Sequence, residues 1–514
     1  MSTSSSISSL LNSLNPSNES LAELLGESST SNTTTNNSST DSAVLQAVDS
    51  ILNSATNTSG TGIDVTSTVD AILELDAVPE ENLQSQVTTL NSQTSALQTI
   101  ETDLTNLQTA VQALSDPTGT LGDVTVDSSN NNVVSATAAN GTAAGSYTVV
   151  VNSLATTSAA YSTLSTTATA ALPTGTLTIQ TGSNTLTVPV DTNSGDPDTL
   201  STLASYINKQ NAGVTASVIT EGSEAVLSLV SQTSGSAGKM QITDSTGGSD
   251  GLGIQMVQNS QGQNLGTDAS LTVDGVPVTS GSNTVTGVIP GMTLTLSGIS
   301  SDPVTLDVQP DLTQASTGIN NFVSAWNQLM SDINAQNTYS GSGSAPPLMG
   351  DPSLDLIQSQ LLNDITTSVS GNGAAVNLQS IGIQLQEDGT LSVASTSSPD
   401  SMDLNDALSN DFSAVQNLFQ STSPAGVAQT LSTDLTNLTD PVNGPLNLDM
   451  SSISSQVSSL NDQISEFQYQ LQQTQTQLTS EYSTINTTLE QMPELINQVN
   501  QQLNSLNPPG TSTT

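Results

Sequence analysis

The sequence has 514 residues, of which 46 are acidic and only two, Lys209 and Lys239, are basic, so its formal net charge is −44. It contains no histidine and no cysteine, which excludes imidazole bases, thiol nucleophiles, His/Cys zinc sites and disulfides. Almost no cations remain for binding nucleic acid, and any catalysis would depend on Ser, Asp, Glu or Tyr alone.

The first 60 residues are dominated by Ser, Thr and Asn, as in ESSTSNTTTNNSSTDS. They offer too little apolar surface to offset the entropy lost on ordering, so we predict a disordered N-terminal extension over 1–60. Residues 1–25 also lack the basic start and apolar centre of a Sec signal peptide. No stretch approaches the roughly 18 consecutive apolar residues of a membrane span, so we expect no membrane insertion.

Residues 61–117 read as two consecutive helices. Gly60 and Gly62 interrupt the polar lead, and Asp64 or Ser67 is suited to cap the first helix. Pro79 suits the first turn of the second helix, where two glutamates face the positive end of the helix dipole.

The second helix carries a heptad seam that ends at Asp116-Pro117. The seam consists of Leu83, Leu90, Leu97, Leu104 and Val111, with Ile100, Leu107 and Leu114 three residues after the last three. At 1.5 Å per residue, residues 79–114 make a helix of roughly 54 Å.

Between residues 118 and 310 the apolar period changes to that of short strands. GTLTIQTGSNTLTVPV and ASLTVDGVPVTS alternate β-branched and polar residues between turn formers, which is typical of antiparallel hairpins. We predict one β domain over 118–165 and 265–310. A second, over 166–264, is inserted into it and contains one helix in TLSTLASYINKQNAG.

A helical return segment follows over 311–445, interrupted by the hairpin IGIQLQEDGTLSV, in which Asp388-Gly389 is a type I′ turn signal. The region 446–514 is predicted as a C-terminal coiled-coil helix and tail. Its seven-residue seam comprises Val457, Ile464, Leu471, Leu478, Ile485, Met492, Val499 and Leu506. Pro493 is expected to kink this helix.

Neither terminal seam is wide enough to form a globular core, so each needs an apolar partner. The simplest solution pairs the two ends of the chain. The predicted fold is therefore α+β: an elongated helical coiled-coil stalk of paired N- and C-terminal helices with inserted antiparallel β domains. For the seam positions two interpretations stay open, packing within the stalk, which we favour, and contact with other chains.

Three groups of residues resemble reactive or binding sites only weakly. The loop DTNSGDPDTL has oxygen ligands at calcium-like spacing, but its glycine is misplaced and no bidentate Glu follows, so we predict an ordinary acidic turn at Asp191, Asn193, Asp196 and Asp198. GGSDGLG and GSAGKM fail the dinucleotide and P-loop patterns. Glu80-Glu81 and Glu387-Asp388 are interpreted as helix-dipole and turn residues. We predict no catalytic, metal or cofactor site.

Several stretches together resemble the flagellar filament-capping family, also called hook-associated protein 2. GTGIDVTSTVDAILELDAVP is similar to its N-terminal signature, with Gly62 to Val65, Val69 and Pro79 matching by position. LASYINKQNAGVTASVITEGSEAVLSLVSQTSG resembles the motif shared by hook-associated proteins and flagellins, centred on Ile207-Asn208. NTVTGVIPGMTLTLSG, and the region from LMGDPSLDLIQSQL to NLFQ, resemble the second half. The resemblance runs from about residue 60 to 506.

The resemblance implies a non-enzymatic filament cap, a homo-oligomeric ring, pentameric or hexameric, at the extracellular tip of the bacterial flagellum. It implies export by the flagellar type III route without a Sec signal, and flagellin, hook-filament junction proteins and an export chaperone as partners. The candidate contacts to other subunits or flagellin are Leu83, Leu90, Leu97, Leu104, Val457, Ile464, Leu471, Leu478 and Ile485. The alternative is a surface adhesin that attaches through the β domains.

The charge has its own implication. Because acidic and basic residues together make up only 9% of the chain, the anomaly is the shortage of bases rather than an excess of acids. Below the ordinary carboxyl pKa of about 4 this chain is nearly neutral, whereas an ordinary composition is strongly cationic. We therefore predict exposure to an acidic exterior; compositional drift in a surface protein that needs no cations is the alternative.

Overall fold

The computed structural model describes residues 64–506 except 194, 248–250, 340, 342 and 395–401, with side chains to residue 503. The predicted disordered extension over 1–60, the predicted helix-flanking Gly62 and the tail after 506 lie outside the described residues. The chain divides into two units. The terminal unit comprises, of the described residues, 64–94 and 451–506, and the central unit comprises Ser95–Met450.

The helices are, in chain order, α1 (Val65–Asp76), α2 (Val78–Ser115), α3 (Leu200–Lys209), α4 (Leu312–Asn337), α5 (Pro352–Ile365), α6 (Leu404–Asn410), α7 (Phe412–Gln420), α8 (Val427–Leu438) and α9 (Pro445–Leu506). The strands of the first half are β1 (Val124–Ser128), β2 (Val134–Ala138), β3 (Gly145–Ser153), β4 (Thr157–Ser162), β5 (Gly175–Thr181), β6 (Asn184–Val190), β7 (Val214–Glu221), β8 (Glu224–Ser234) and β9 (Met240–Asp244). Those that follow are β10 (Ile254–Met256), β11 (Ala269–Val273), β12 (Val276–Ser280), β13 (Thr284–Thr286), β14 (Met292–Leu296), β15 (Ser300–Pro310), β16 (Ile383–Leu385) and β17 (Leu391–Val393).

The helix starts follow their sequence signals. Asp64 caps α1, because its Oδ1 accepts the backbone N–H of Ser67 at 3.2 Å, as predicted. Helix α2 begins at Val78 with Pro79 in its first turn, followed by the two glutamates, and it ends at Ser115 before Pro117. Helix α9 is continuous over 62 residues and runs through Pro493.

In the terminal unit the first part of α2 lies antiparallel to α9. Gln468 Nε2 donates to Glu80 Oε1 at 2.6 Å, and Leu90 and Leu460 line the same groove. Moving forward along α2 therefore corresponds to moving backward along α9. This confirms the predicted pairing of the two ends of the chain. No helix among the described residues is long and apolar enough to cross a membrane.

The central unit holds two β domains, each made of two antiparallel sheets around its own apolar core. The first combines the sheets β1-β15-β3-β11-β12 and β13-β14-β2. The second combines β10-β4-β8-β7 and β6-β5-β9, with α3 contributing to the core. The helix predicted within the β region is α3, which confirms that interpretation.

The chain enters and leaves the second β domain at one place. Thr156 N donates to Thr267 O at 3.0 Å, and the two threonine hydroxyls lie 3.2 Å apart. Strand β4 pairs with β8 and β10, and its Ala160 belongs to the second core. The predicted boundary at 165/166 therefore falls after a strand that belongs to the insert.

The rest of the central unit is a helical domain built from α4 to α8, the β16-β17 hairpin, the part of α2 from Ser95 onwards and the start of α9 up to Met450. The chain's single tryptophan, Trp326, is fully buried between Phe322 and the hairpin. Its Nε1 donates to the carbonyl of Gly389 at 2.8 Å. Phe322 also packs edge-on against Phe419, with ring centroids 6.4 Å apart.

The predicted type I′ turn at Asp388-Gly389 is wrong. The hairpin closes through a longer loop in which Gln386 N donates to Thr390 O at 2.8 Å, and only Gly389 has a positive φ, +82°. A type I′ turn needs a positive φ at both central residues. That condition is met instead at Asp274-Gly275, the two-residue turn between β11 and β12.

Candidate assembly surface

The paired helices of the terminal unit present a mostly polar surface around a narrow seam. A groove of about 390 Å³ runs between them, lined by Ser85, Gln86, Thr89, Leu90, Gln93, Gln456, Ser459, Leu460 and Gln463. Uncharged amides and hydroxyls take the flanking positions that Glu and Lys occupy in ordinary coiled coils. Such a surface keeps its hydrogen-bonding capacity when carboxylates are protonated.

The nine candidate contact residues fall into three classes of exposure. Leu97 and Leu104 are 0% exposed within their own chain. Ile485 is 40% exposed. The other six are half-buried along the seam: Leu83, Leu90, Val457, Ile464, Leu471 and Leu478.

Leu97 and Leu104 therefore pack within the central unit and are withdrawn as contacts, because a fully buried side chain cannot touch another subunit. Polar bonds also fix this part of α2. Gln420 Nε2 donates to the carbonyl of Leu114 at 3.0 Å, and Asn447 Nδ2 donates to Glu101 Oε1 at 3.2 Å. An assembly role for the seven remaining residues stays a prediction.

The motif centred on Ile207-Asn208 has a structural explanation. Ile207 is fully buried in the core of the second β domain. The side-chain amide of Asn208 donates to Ala216 O at 2.7 Å and accepts from Ala216 N at 2.8 Å. Asn208 thus pairs with β7 as a neighbouring strand would, and it ties the end of α3 to the sheet.

Several acids of the weak candidate metal and acid–base sites accept hydrogen bonds from other side chains or from the backbone. Asp191 accepts from the backbone N–H of Asn193 at 2.6 Å, and Asp198 lies beside Thr202 in the cap of α3. Glu80 accepts from Gln84 at 2.8 Å as well as from α9. Among the described residues no group of three or more His, Cys, Asp or Glu is arranged to hold a metal ion.

Asp388 fits its predicted role as a turn residue. Its Oδ1 accepts from the backbone N–H of Thr390 at 3.0 Å and from the Thr390 hydroxyl at 2.6 Å. These bonds stabilise the charged form and lower the pKa of Asp388.

Two buried carboxyl pairs in the helical domain were not predicted. Asp103 on α2 is 7% exposed and lies beside Asp332 on α4; burial, then the neighbouring carboxyl, raises the pKa of Asp103 to about 6. Asp364 on α5 is 3% exposed and lies beside Asp434 on α8; the same two causes raise the pKa of Asp364 to about 7. Each pair is most stable when it holds a proton, because two adjacent carboxylates in a poorly hydrated site repel each other.

Comparison with known proteins decides the family. The sequence matches the family descriptions "Flagellar hook-associated protein 2 N-terminus" over residues 61–158 and "Flagellar hook-associated protein 2 C-terminus" over 266–494. It is 30% identical over 362 residues to the B-type flagellar hook-associated protein 2 of Pseudomonas aeruginosa. That alignment covers 65% of this chain and 74% of the relative. The chain belongs to the flagellar hook-associated protein 2 family.

Further comparisons extend this assignment. Flagellar hook-associated protein 2 of Escherichia coli K12 is 29% identical over 396 residues, covering 73% of this chain and 82% of the relative. The crystal structure of the flagellar cap protein FliD D1-D2-D3 domains from Escherichia coli superposes with a TM-score of 0.54 at 27% identity. The superposition covers 70% of this chain and 99% of the E. coli chain. The family's flagellin hook IN motif matches residues 176–233, which span β5 to β8.

Proposed function

We propose that this chain is a flagellar filament cap, a structural scaffold at the filament tip that promotes folding and polymerisation of exported flagellin and prevents its leakage. The observation that carries the proposal is the superposition on the E. coli cap protein, which extends over 99% of that chain. The two matches to the hook-associated protein 2 family begin before α1 and end within α9.

The chemistry of the chain supports a structural role without catalysis. With no His and no Cys, and with Asp191, Asp198 and Asp388 engaged in turns and a helix cap, the chain offers packing and hydrogen-bonding surfaces. We assign it a homo-oligomeric ring as its working form. Flagellin, the hook-filament junction proteins and an export chaperone are its partners, and it reaches the extracellular filament tip by the flagellar type III route.

Deleting the gene in the source organism tests the proposal. A cap mutant should lack filaments and release monomeric flagellin into the medium, and the wild-type gene should restore both filaments and swimming. A variant with Leu471→Asp and Leu478→Asp, which introduces charge into the half-buried seam, should fail to restore them. Ser465→Asp with Gln472→Asp, on exposed positions of the same helix, is the matched control and should complement.

The adhesin alternative predicts a different phenotype. Deletion would then leave filaments and swimming intact and abolish attachment to surfaces. The comparisons give that alternative no support over the cap. Normal filaments in the deletion strain would refute the cap function directly.

A further inference from the structure

Helix α9 ends in an exposed apolar face, the C-terminal stripe, made of Met492, Leu495, Ile496, Val499 and Leu503. Their side chains are 48–57% exposed. Their spacing of three and four residues lies on one side of a helix. Every side chain described from 490 to 503 is exposed, whereas the seam residues from 457 to 482 are half-buried.

Along α9, the C-terminal stripe lies beyond the point that the described N-terminal helices reach. The contact between Glu80 and Gln468 fixes the antiparallel register of α2 on α9. Ala77, between α1 and α2, keeps a helical backbone with φ −81° and ψ −13°. At 1.5 Å per residue, Val65 therefore lies opposite about residue 483, and α1 leaves the stripe uncovered.

The sequence just before α1 has the complementary pattern. The stretch AVLQAVDSILNSA carries apolar side chains at Val44, Leu45, Val48, Ile51, Leu52 and Ala55, the spacing of an amphipathic helix. It lies outside the family match, which begins at residue 61. A helix over 44–55 is as long as the stripe from 492 to 503.

Extending the same register aligns the two faces. Leu52 then lies opposite Ile496 and Leu45 opposite Leu503, while Val48 lies opposite residue 500, beside Val499. The nine residues from 56 to 64 need to cover only about 13 Å, against a reach of about 30 Å for nine extended residues. The connection therefore places no strain on the docking.

We propose that residues 44–55 of the same chain dock as an amphipathic helix, antiparallel to α9, on the C-terminal stripe. The predicted disordered N-terminal extension would then be limited to the residues before 44. A short tether gives the segment a local concentration on the order of millimolar, far above that of a free partner. A second copy, by contrast, brings another formal charge of −44 to the same face.

Engineered disulfides test the pairing, since the natural chain has no cysteine. In the full-length protein, Val48→Cys with Val499→Cys should form a disulfide within one chain on mild oxidation, because opposed residues bring their Cβ atoms within bonding range. Ser50→Cys with Val499→Cys, on the other side of the same segment, should not. Leu90→Cys with Leu460→Cys, at half-buried seam positions that line the same groove between α2 and α9, is the positive control. Non-reducing electrophoresis and mass spectrometry of the linked peptides separate bonds within a chain from bonds between chains.

Thiol labelling gives an independent readout. With Val499→Cys alone, a maleimide should react at least about tenfold more slowly in the full chain than in a chain lacking residues 1–56, if the docked segment opens a tenth of the time or less. Equal labelling rates would overturn the proposal. So would a 48/499 pair that links only between chains, which would assign the stripe to a second copy, or one that does not link while the 90/460 pair does.

Discussion

The buried carboxyl of Asp364 makes the stability of the helical domain depend on pH. Its pKa, about 7 in the folded chain, lies above the ordinary aspartate value of 3.8. The folded state therefore binds the proton more tightly than the unfolded state, and the stabilisation is fully present below about pH 4 and lost as pH rises through 7. The pair formed by Asp103, with a folded pKa of about 6, acts in the same direction.

Replacing this acid should therefore stabilise the protein at neutral pH. We expect Asp364→Asn to raise the free energy of unfolding of the helical domain by roughly 1–3 kcal/mol at pH 8, because it removes a charge from a buried site. At pH 3.5, where the natural carboxyl is protonated, the gain should disappear. Urea unfolding followed by the fluorescence of Trp326, which is buried in the same domain, measures it.

Asp388→Asn is the matched control, because the shift at that position has the opposite sign. The pKa of Asp388 is lowered by its bonds to Thr390, so its contribution is present above the ordinary pKa and lost as pH falls. The control should be neutral or destabilising at pH 8. A stabilisation by Asp364→Asn that is the same at both pH values would show that ionisation is not its cause.

These acids were detectable in the sequence but were not recognised there. Asp103 lies three residues after Ile100 and four before Leu107, and Asp364 lies three after Leu361, so both are on buried faces of their helices. Helical spacing could therefore have indicated their burial. It did not predict the partner acids, because Asp332 and Asp434 come from helices distant in sequence.

At the level of elements, the insertion of the second β domain gives a prediction with a defined boundary. Deleting residues 157–266 and joining Thr156 to Thr267 with a short Gly/Ser linker should leave the rest of the chain folded, since these ends already share hydrogen bonds. Circular dichroism should show that the helical signal per molecule falls only by the contribution of α3, which lies in the deleted segment. Cap function should be weakened without further loss of helicity.

The shorter deletion of residues 166–264 is the variant to compare with the 157–266 deletion. It leaves β4 without β8 and β10 and exposes Ala160 and its neighbours, so this variant should aggregate or express poorly. Equal solubility of the two deletions would contradict the assignment of β4 to the insert.

Elements with a strong local signal were predicted well, and those that depend on distant partners were not. The heptad seams and the Asp64 cap gave α2, α9 and the start of α1 within a few residues. The type I′ turn predicted at 388–389 was wrong, because the hydrogen bond from Trp326 to Gly389 belongs to a packing that no local pattern encodes, and the same signal at 274–275, where such a turn does occur, was not singled out. For the same reason, heptad spacing could not separate the buried Leu97 and Leu104 from the half-buried members of the seam.

For the whole molecule, the shortage of bases predicts how assembly responds to acid and salt. The proposed ring would gather several charges of −44 with almost no Lys or Arg to offset them. Crowding of like charges favours the protonated form of a carboxyl, so we expect the ring to bind more protons than free subunits and to gain stability as pH falls towards 3. Salt should act in the same direction by screening, with a Debye length near 10 Å at ~0.1 M.

Sedimentation of the purified protein between pH 7 and pH 3, at low and high salt, measures this response. The fraction in rings should be smallest at pH 7 in low salt. A ring fraction that changes with neither variable, or that is largest at pH 7 in low salt, would remove the acidic-exterior explanation of the composition.

The central claim is that this chain occupies the end of a flagellar filament. Immunogold electron microscopy of intact cells, with an antibody raised against residues 157–266, tests it most directly. The strain that carries the 157–266 deletion variant, which lacks the epitope and is expected to keep weakened cap function, controls for the specificity of the antibody. The account predicts gold at the distal tip of each filament and nowhere along the shaft. Gold along the shaft or on the cell body, with unlabelled tips, would contradict it.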